Sequence, residues 1–244
     1  MKAGCYIVGA VAIVFSYAAL FILGPAATDL WVREDGIVEW LGAVSLLAGS
    51  ILFFLILIRG RRDGQLVAFK QIVVAGLALL FFVGAGEEIS WGQRIFGVAT
   101  PPELQTLHTQ GELNLHNLHG FSGWLDANNF FRAFWVVFGV ALPVAGVVSK
   151  RTYAAIDRLI PVLPLWVSVF LVGDQIVAKV ADAINHHQPS WYQGSYYTFT
   201  SARVEVTESI VLAILACGAY AIYHRTKVRD LQRRSTTGVL TGDR

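Results

Sequence analysis

Residues 71–97 read QIVVAGLALLFFVGAGEEISWGQRIFG. The first half is an uninterrupted apolar run with no charge, near the length of chain that crosses hydrocarbon, roughly 20 residues. The second half puts Glu87, Glu88, a Trp and Arg94 where such a helix would leave the membrane. An acidic pair at a helix C-terminus opposes the macrodipole. The pair is therefore either a solvated helix end or one wall of a polar site.

The rest of the chain fits the apolar run. Of its 244 residues 55% are hydrophobic and only 15% charged, with a mean hydropathy of +0.55. A soluble domain carries about 25% charged residues, so this chain cannot cover a water-facing surface. The reading is an all-α, polytopic membrane helix bundle with spans near 4–24, 37–58, 67–88, 129–149, 159–183 and 204–223. The first span is longer than a signal-peptide core of about 7–15 residues and reads as an uncleaved anchor. Residues 1–225 form a single transmembrane domain, and 226–244 are expected to be a disordered cytoplasmic tail. Cys5 and Cys217 have no His or Cys neighbours at ligand spacing, and no disulfide framework is expected.

Charge sets the orientation. Arg59, Arg61 and Arg62, then Lys150, Arg151 and Arg158, then the basic tail from His224 all fall on one side of the six-span topology. The alternate loops are acidic, His-containing or aromatic. By the positive-inside rule both termini are cytoplasmic, and the His-rich loops face outward from the cytoplasmic membrane. Trp31, Trp40, Trp91, Trp124 and Trp191 fit an outer aromatic belt.

The ionisable residues of the spans then collect at the outer end. Glu87 and Glu88 end the third span, Asp182 and His186 the fifth, and Glu205 and Glu208 open the sixth. Asp174 falls deeper, roughly 12 Å below the interface at 1.5 Å per residue, and a buried structural pair with Lys179 is one reading of it. Such residues are costly in a bilayer and usually face a cavity or one another.

In TPPELQTLHTQGELNLHNLHG, residues 100–120, Glu112, His116 and His119 follow i, i+4, i+7 spacing, one stripe of an interfacial helix on the outer side. Asp182 and His186 repeat the i, i+4 spacing. Imidazoles beside carboxylates can hold zinc or another divalent metal and leave a position open to water. The candidate metal ligands are therefore His116, His119, His186 and Glu112. Glu87, Glu88, Arg94 and Asp182 are the candidate catalytic groups, with Glu88 as general base and Arg94 as anion clamp.

The stretch GEEISWGQR resembles the Glu-Glu-x-x-x-Arg motif of the CAAX-protease/Abi membrane endopeptidases, in which Glu87 and Glu88 match the paired glutamates. Arg94 falls two residues later than that motif's arginine. Ser90, His116, Asp182 and His186 are similar in type to the zinc-site residues of the alkaline ceramidase/adiponectin-receptor hydrolases. EEISWGQRIFG with ELNLHN also resembles an uncharacterised group of bacterial membrane proteins, a likeness that implies no activity.

The leading expectation is a metal-dependent hydrolase or transferase acting on a lipid or lipid-linked substrate, with membrane lipids as partners and no nucleic acid. A transporter or proton-coupled carrier is the alternative, using Asp174, Lys179 and the glutamates as a relay. A non-catalytic membrane assembly partner is the third. Haem ligation lacks facing His pairs deep in the spans. The sequence carries no signal for an oligomeric state.

Overall fold

The computed structural model describes residues 3–33, 36–62, 66–101, 127–187 and 198–241. Glu112, His116 and His119, with their expected interfacial helix, lie outside the described residues, and so does the side chain of Arg94. The described residues are about nine-tenths helical and contain no strand.

Helix α1 spans Ala3–Ile22, α2 Gly24–Val32, α3 Ile37–Arg62 and α4 Ala68–Glu88. After a 3₁₀ turn at Ser90–Gly92 come the short α5, Gln93–Phe96, and then α6, Ala127–Phe134. A π-helical stretch, Trp135–Ala141, joins α6 to α7, Leu142–Val148. They are followed by α8, Lys150–Leu159, α9, Leu165–His187, and α10, Phe199–Thr241. Among the described residues, Gly4–Ile22, Gly24–Arg61, Ala68–Glu88, Asn129–Val148 and Phe199–Arg229 are long and apolar enough to cross a membrane.

The fifth expected span, 159–183, starts later, at Leu165. Pro161 and Pro164 cannot donate to a helical ladder, and the helix opens with Val167 N–H on the Pro164 carbonyl at 2.9 Å. Asp174, Lys179 and Asp182 put three charged side chains within α9. It still packs inside the bundle, against α1, α7 and α10.

Two expected loops contain helix. Gly24, at φ +75°, turns the chain out of α1 into α2. Ser149 caps α8 by accepting from Thr152 N–H at 3.0 Å. The expected disordered tail continues as helix to Thr241. The stretch YHRTKVRDLQRR, residues 223–234, contains no Gly or Pro to stop it.

The core is a set of knobs between helices. Phe53 of α3 and Phe81 of α4 meet edge-on with centroids 5.3 Å apart, and Phe134 and Phe138 stack beside them at 5.3 Å. Serine hydroxyls bond across the helices: Ser50 to the Ala78 carbonyl at 2.8 Å, and Ser209 to the Val38 carbonyl at 2.6 Å. Such bonds suit a membrane interior, where a polar group has few other partners.

The π stretch has an identifiable cause. Pro143 lacks the N–H that would bond the Gly139 carbonyl four residues back. Ser168 of α9 supplies that bond instead, at 2.7 Å. Outside this core, Val8, Val11 and Phe15 of α1, Phe54 of α3, Ile72 and Leu79 of α4 and Val169 and Ile176 of α9 are exposed. Apolar side chains turned outward on so many helices are the surface of a protein that faces lipid.

Candidate functional site

The stretch after α4 folds into an unusual turn. Ser90, Trp91 and Gly92 all have positive φ, at 45°, 54° and 74°. Two consecutive non-glycine residues in the left-handed region carry a cost of about 1–2 kcal/mol each, and such outliers cluster at functional sites. Ser90 is buried here, at 1% exposure.

The motif GEEISWG supplies the parts that hold the turn. Trp91 folds back over α4 and its indole N–H donates to Glu87 Oε1 at 2.7 Å. Gly86 leaves room for the ring: a Cβ there would lie 2.8 Å from Trp91 Cε3. Gly92 takes the third left-handed position without a side-chain penalty. Gln93 then bonds the Thr100 hydroxyl, tying the following segment to the turn.

Glu87 and Glu88 have different tasks. Glu87 anchors Trp91. Glu88 directs its carboxylate into the helix packing: a Cβ on Gly42 of α3 would sit 3.0 Å from Glu88 Oε2 and 3.2 Å from Leu212 Cδ1 of α10. Both glutamates are half-buried. Glu39 stands one turn before Gly42, and Glu208 one turn before Leu212. Three helices therefore bring carboxylates to the same end of the bundle.

A second polar group lies on the opposite face of α10. Tyr17 of α1 donates to Asp174 Oδ1 of α9 at 2.8 Å, and its oxygen is 2.9 Å from Thr207 Oγ1 of α10. Thr207 donates to the Arg203 carbonyl at 2.7 Å, and Gln175 Nε2 to Asp174 Oδ2 at 3.2 Å. Asp174 is wholly buried, at 0% exposure.

One or two turns further along, Arg203 Nε lies 2.8 Å from Asp182 Oδ1, an ion pair without the alignment of a hydrogen bond. Lys179 Nζ, on a side chain 80% exposed, is 3.8 Å from Asp182 Oδ2. The reading of Asp174 and Lys179 as a buried pair is not met: Lys179 reaches Asp182, and Asp174 meets Tyr17. Asp174 and Lys179 are five apart on one helix and point to different sides.

His186, expected beside Asp182, is exposed, and its ring meets His187 edge-on with centroids 5.8 Å apart. Among the described residues no three His, Cys, Asp or Glu side chains stand close enough to hold a metal ion. The other expected metal ligands, Glu112, His116 and His119, lie outside the described residues. Cys5 and Cys217 are free thiols.

Tyr17, Thr207 and Arg203 did not stand out in the sequence. Tyr17 and Asp174 are 157 residues apart, and no local spacing links them. Of the three, only Arg203 could have been found locally, as a cation near the start of the last span. The chain matches no family model, no curated protein and no solved structure.

Proposed function

We propose that this chain is a protein of the cytoplasmic membrane whose outer-side polar site acts on a lipid or lipid-linked substrate, by acid–base chemistry of the hydrolase or transferase kind. One observation carries the reading. Glu88 is turned into the α3–α4–α10 packing beside a strained, glutamate-anchored turn, where a plain helix end would leave it in solvent. Glu88 serves as general base, with Arg94 as the clamp for a phosphate or carboxylate group. Glu112, His116, His119 and His186 would hold zinc or another divalent metal, which when bound would supply an activated water. Asp182, paired with Arg203, orients the α9 wall.

The test compares lipid extracts from cells lacking the protein with cells expressing the parent, Glu88→Gln or His186→Ala, each at matched abundance. The expected result is one lipid species that accumulates in the deletion and in both variants. Identical lipid profiles in all four strains would overturn the reading. Metal analysis of the purified protein tests the metal separately, and the content should fall in His116→Ala.

A second reading, a proton-coupled carrier, is favoured by the Tyr17–Asp174–Thr207 chain. Tyr17 and Thr207 each have one hydroxyl hydrogen for three oxygen–oxygen contacts. A proton on Asp174 would complete a continuous relay to the Arg203 carbonyl. Proton uptake by proteoliposomes that is lost in Asp174→Asn would favour this reading over the first.

A further inference from the structure

The opposite end of the bundle holds a cavity that the outer site does not use. It has a volume of about 440 Å³ and lies between α4, α8 and α10. Its polar wall carries Lys70, Arg158, Arg225 and Arg229, and its one acidic residue is Asp157. Its floor is apolar, from Ile56, Leu66, Pro161 and Ile222.

The single carboxylate is already committed. Lys70 Nζ lies 3.5 Å from Asp157 Oδ2 and also donates to the Asp157 carbonyl. Asp157 also accepts from Val162 N–H at 3.3 Å. Arg225 is pinned by neutral acceptors, donating through Nη1 to the Tyr153 hydroxyl and through Nη2 to the Val162 carbonyl, each at 2.6 Å. Neutral acceptors fix a guanidinium without cancelling its charge. Arg158 and Arg229 stand exposed at the mouth. Three arginines thus surround a hole backed by apolar surface, one of them held rigidly in place.

We propose that this cavity binds a phosphate-bearing anion, with an acidic phospholipid headgroup as the occupant. The arginines take the phosphate and the apolar floor takes the start of the acyl chains. Basic pockets between membrane helices on the cytoplasmic side favour such headgroups. The ligand's size also suits a site of this volume. The site is independent of the outer carboxylates and stands whether or not their proposed chemistry does.

The experiment uses the full-length protein in detergent and native mass spectrometry, with phosphatidylglycerol, phosphatidylcholine and inorganic phosphate as probes. The parent should retain phosphatidylglycerol over phosphatidylcholine. The exposed double variant Arg158→Gln/Arg229→Gln should bind it about thirtyfold more weakly, the scale expected for two lost cations. Arg158→Lys/Arg229→Lys keeps the charge and should retain most of the binding. Displacement of the lipid by inorganic phosphate would support the pocket and assign it to a free anion. Equal retention of the two lipids, or undiminished phosphatidylglycerol binding by the glutamine double variant, would overturn the proposal.

Discussion

Glu88 and Gly42 face each other across the α3–α4 contact so closely that a methyl group on Gly42 would lie 3.0 Å from the Glu88 carboxylate. Gly42 lies inside α3, where alanine is ordinarily the better helix former by about 1 kcal/mol. Gly42→Ala should nonetheless lower the thermal unfolding temperature in detergent. Overpacking costs about 1–3 kcal/mol, and Leu212 blocks the other way out. In a Glu88→Ala background the same substitution should cost less. A double-mutant cycle with no coupling between the two positions would show that the carboxylate does not occupy this space.

Gly92 sits at φ +74° at the end of the left-handed turn, with the Phe96 ring 2.9 Å from where its Cβ would be. Gly92→Ala should therefore destabilise by about 1–2 kcal/mol, read as a lower unfolding temperature. Trp91→Phe keeps a ring but removes the donor to Glu87. It should shift the indole-dependent fluorescence and loosen the segment 89–101, seen as faster amide exchange there. Unchanged exchange in Trp91→Phe would mean that the Glu87 contact does not hold the turn.

The buried Tyr17 hydroxyl joins three helices through Asp174 and Thr207. Tyr17→Phe leaves both oxygens short of a partner and should cost about 1–2 kcal/mol, within the range for a lost buried hydrogen bond. Thr207→Val removes one of the two contacts of the Tyr17 hydroxyl and should cost less. A Tyr17→Phe protein as stable as its parent would mean that water replaces the hydroxyl and that this face of the bundle is hydrated.

The expectation of six spans with both termini cytoplasmic is open to a labelling test. In a background with Cys5 and Cys217 replaced by serine, single cysteines at Ser122 and Ser235 are exposed to a membrane-impermeant thiol reagent in intact cells. Ser122→Cys should react and Ser235→Cys should not. The reverse pattern would invert the orientation, and with it the side on which each proposed site opens.

The sequence by itself determined that this is a helical membrane protein, and nearly where its long helices run. Apolarity over some 20 residues is a local property, and Ile37–Arg62 and Ala68–Glu88 follow it within a few residues. It also marked Glu87, Glu88 and Asp182 as residues needing an explanation, because charge at a membrane helix end is costly wherever the chain goes next. Only the tertiary structure decided what each of them meets. Glu87 goes to Trp91 because two left-handed residues reverse the chain. Glu88 goes to Gly42 because α3 and α4 cross there without a side chain between them. Asp182 goes to Arg203 instead of His186, and Asp174 to Tyr17 instead of Lys179. Spacing of i, i+4 says which residues share a stripe of one helix; it says nothing about which neighbouring helix that stripe will face.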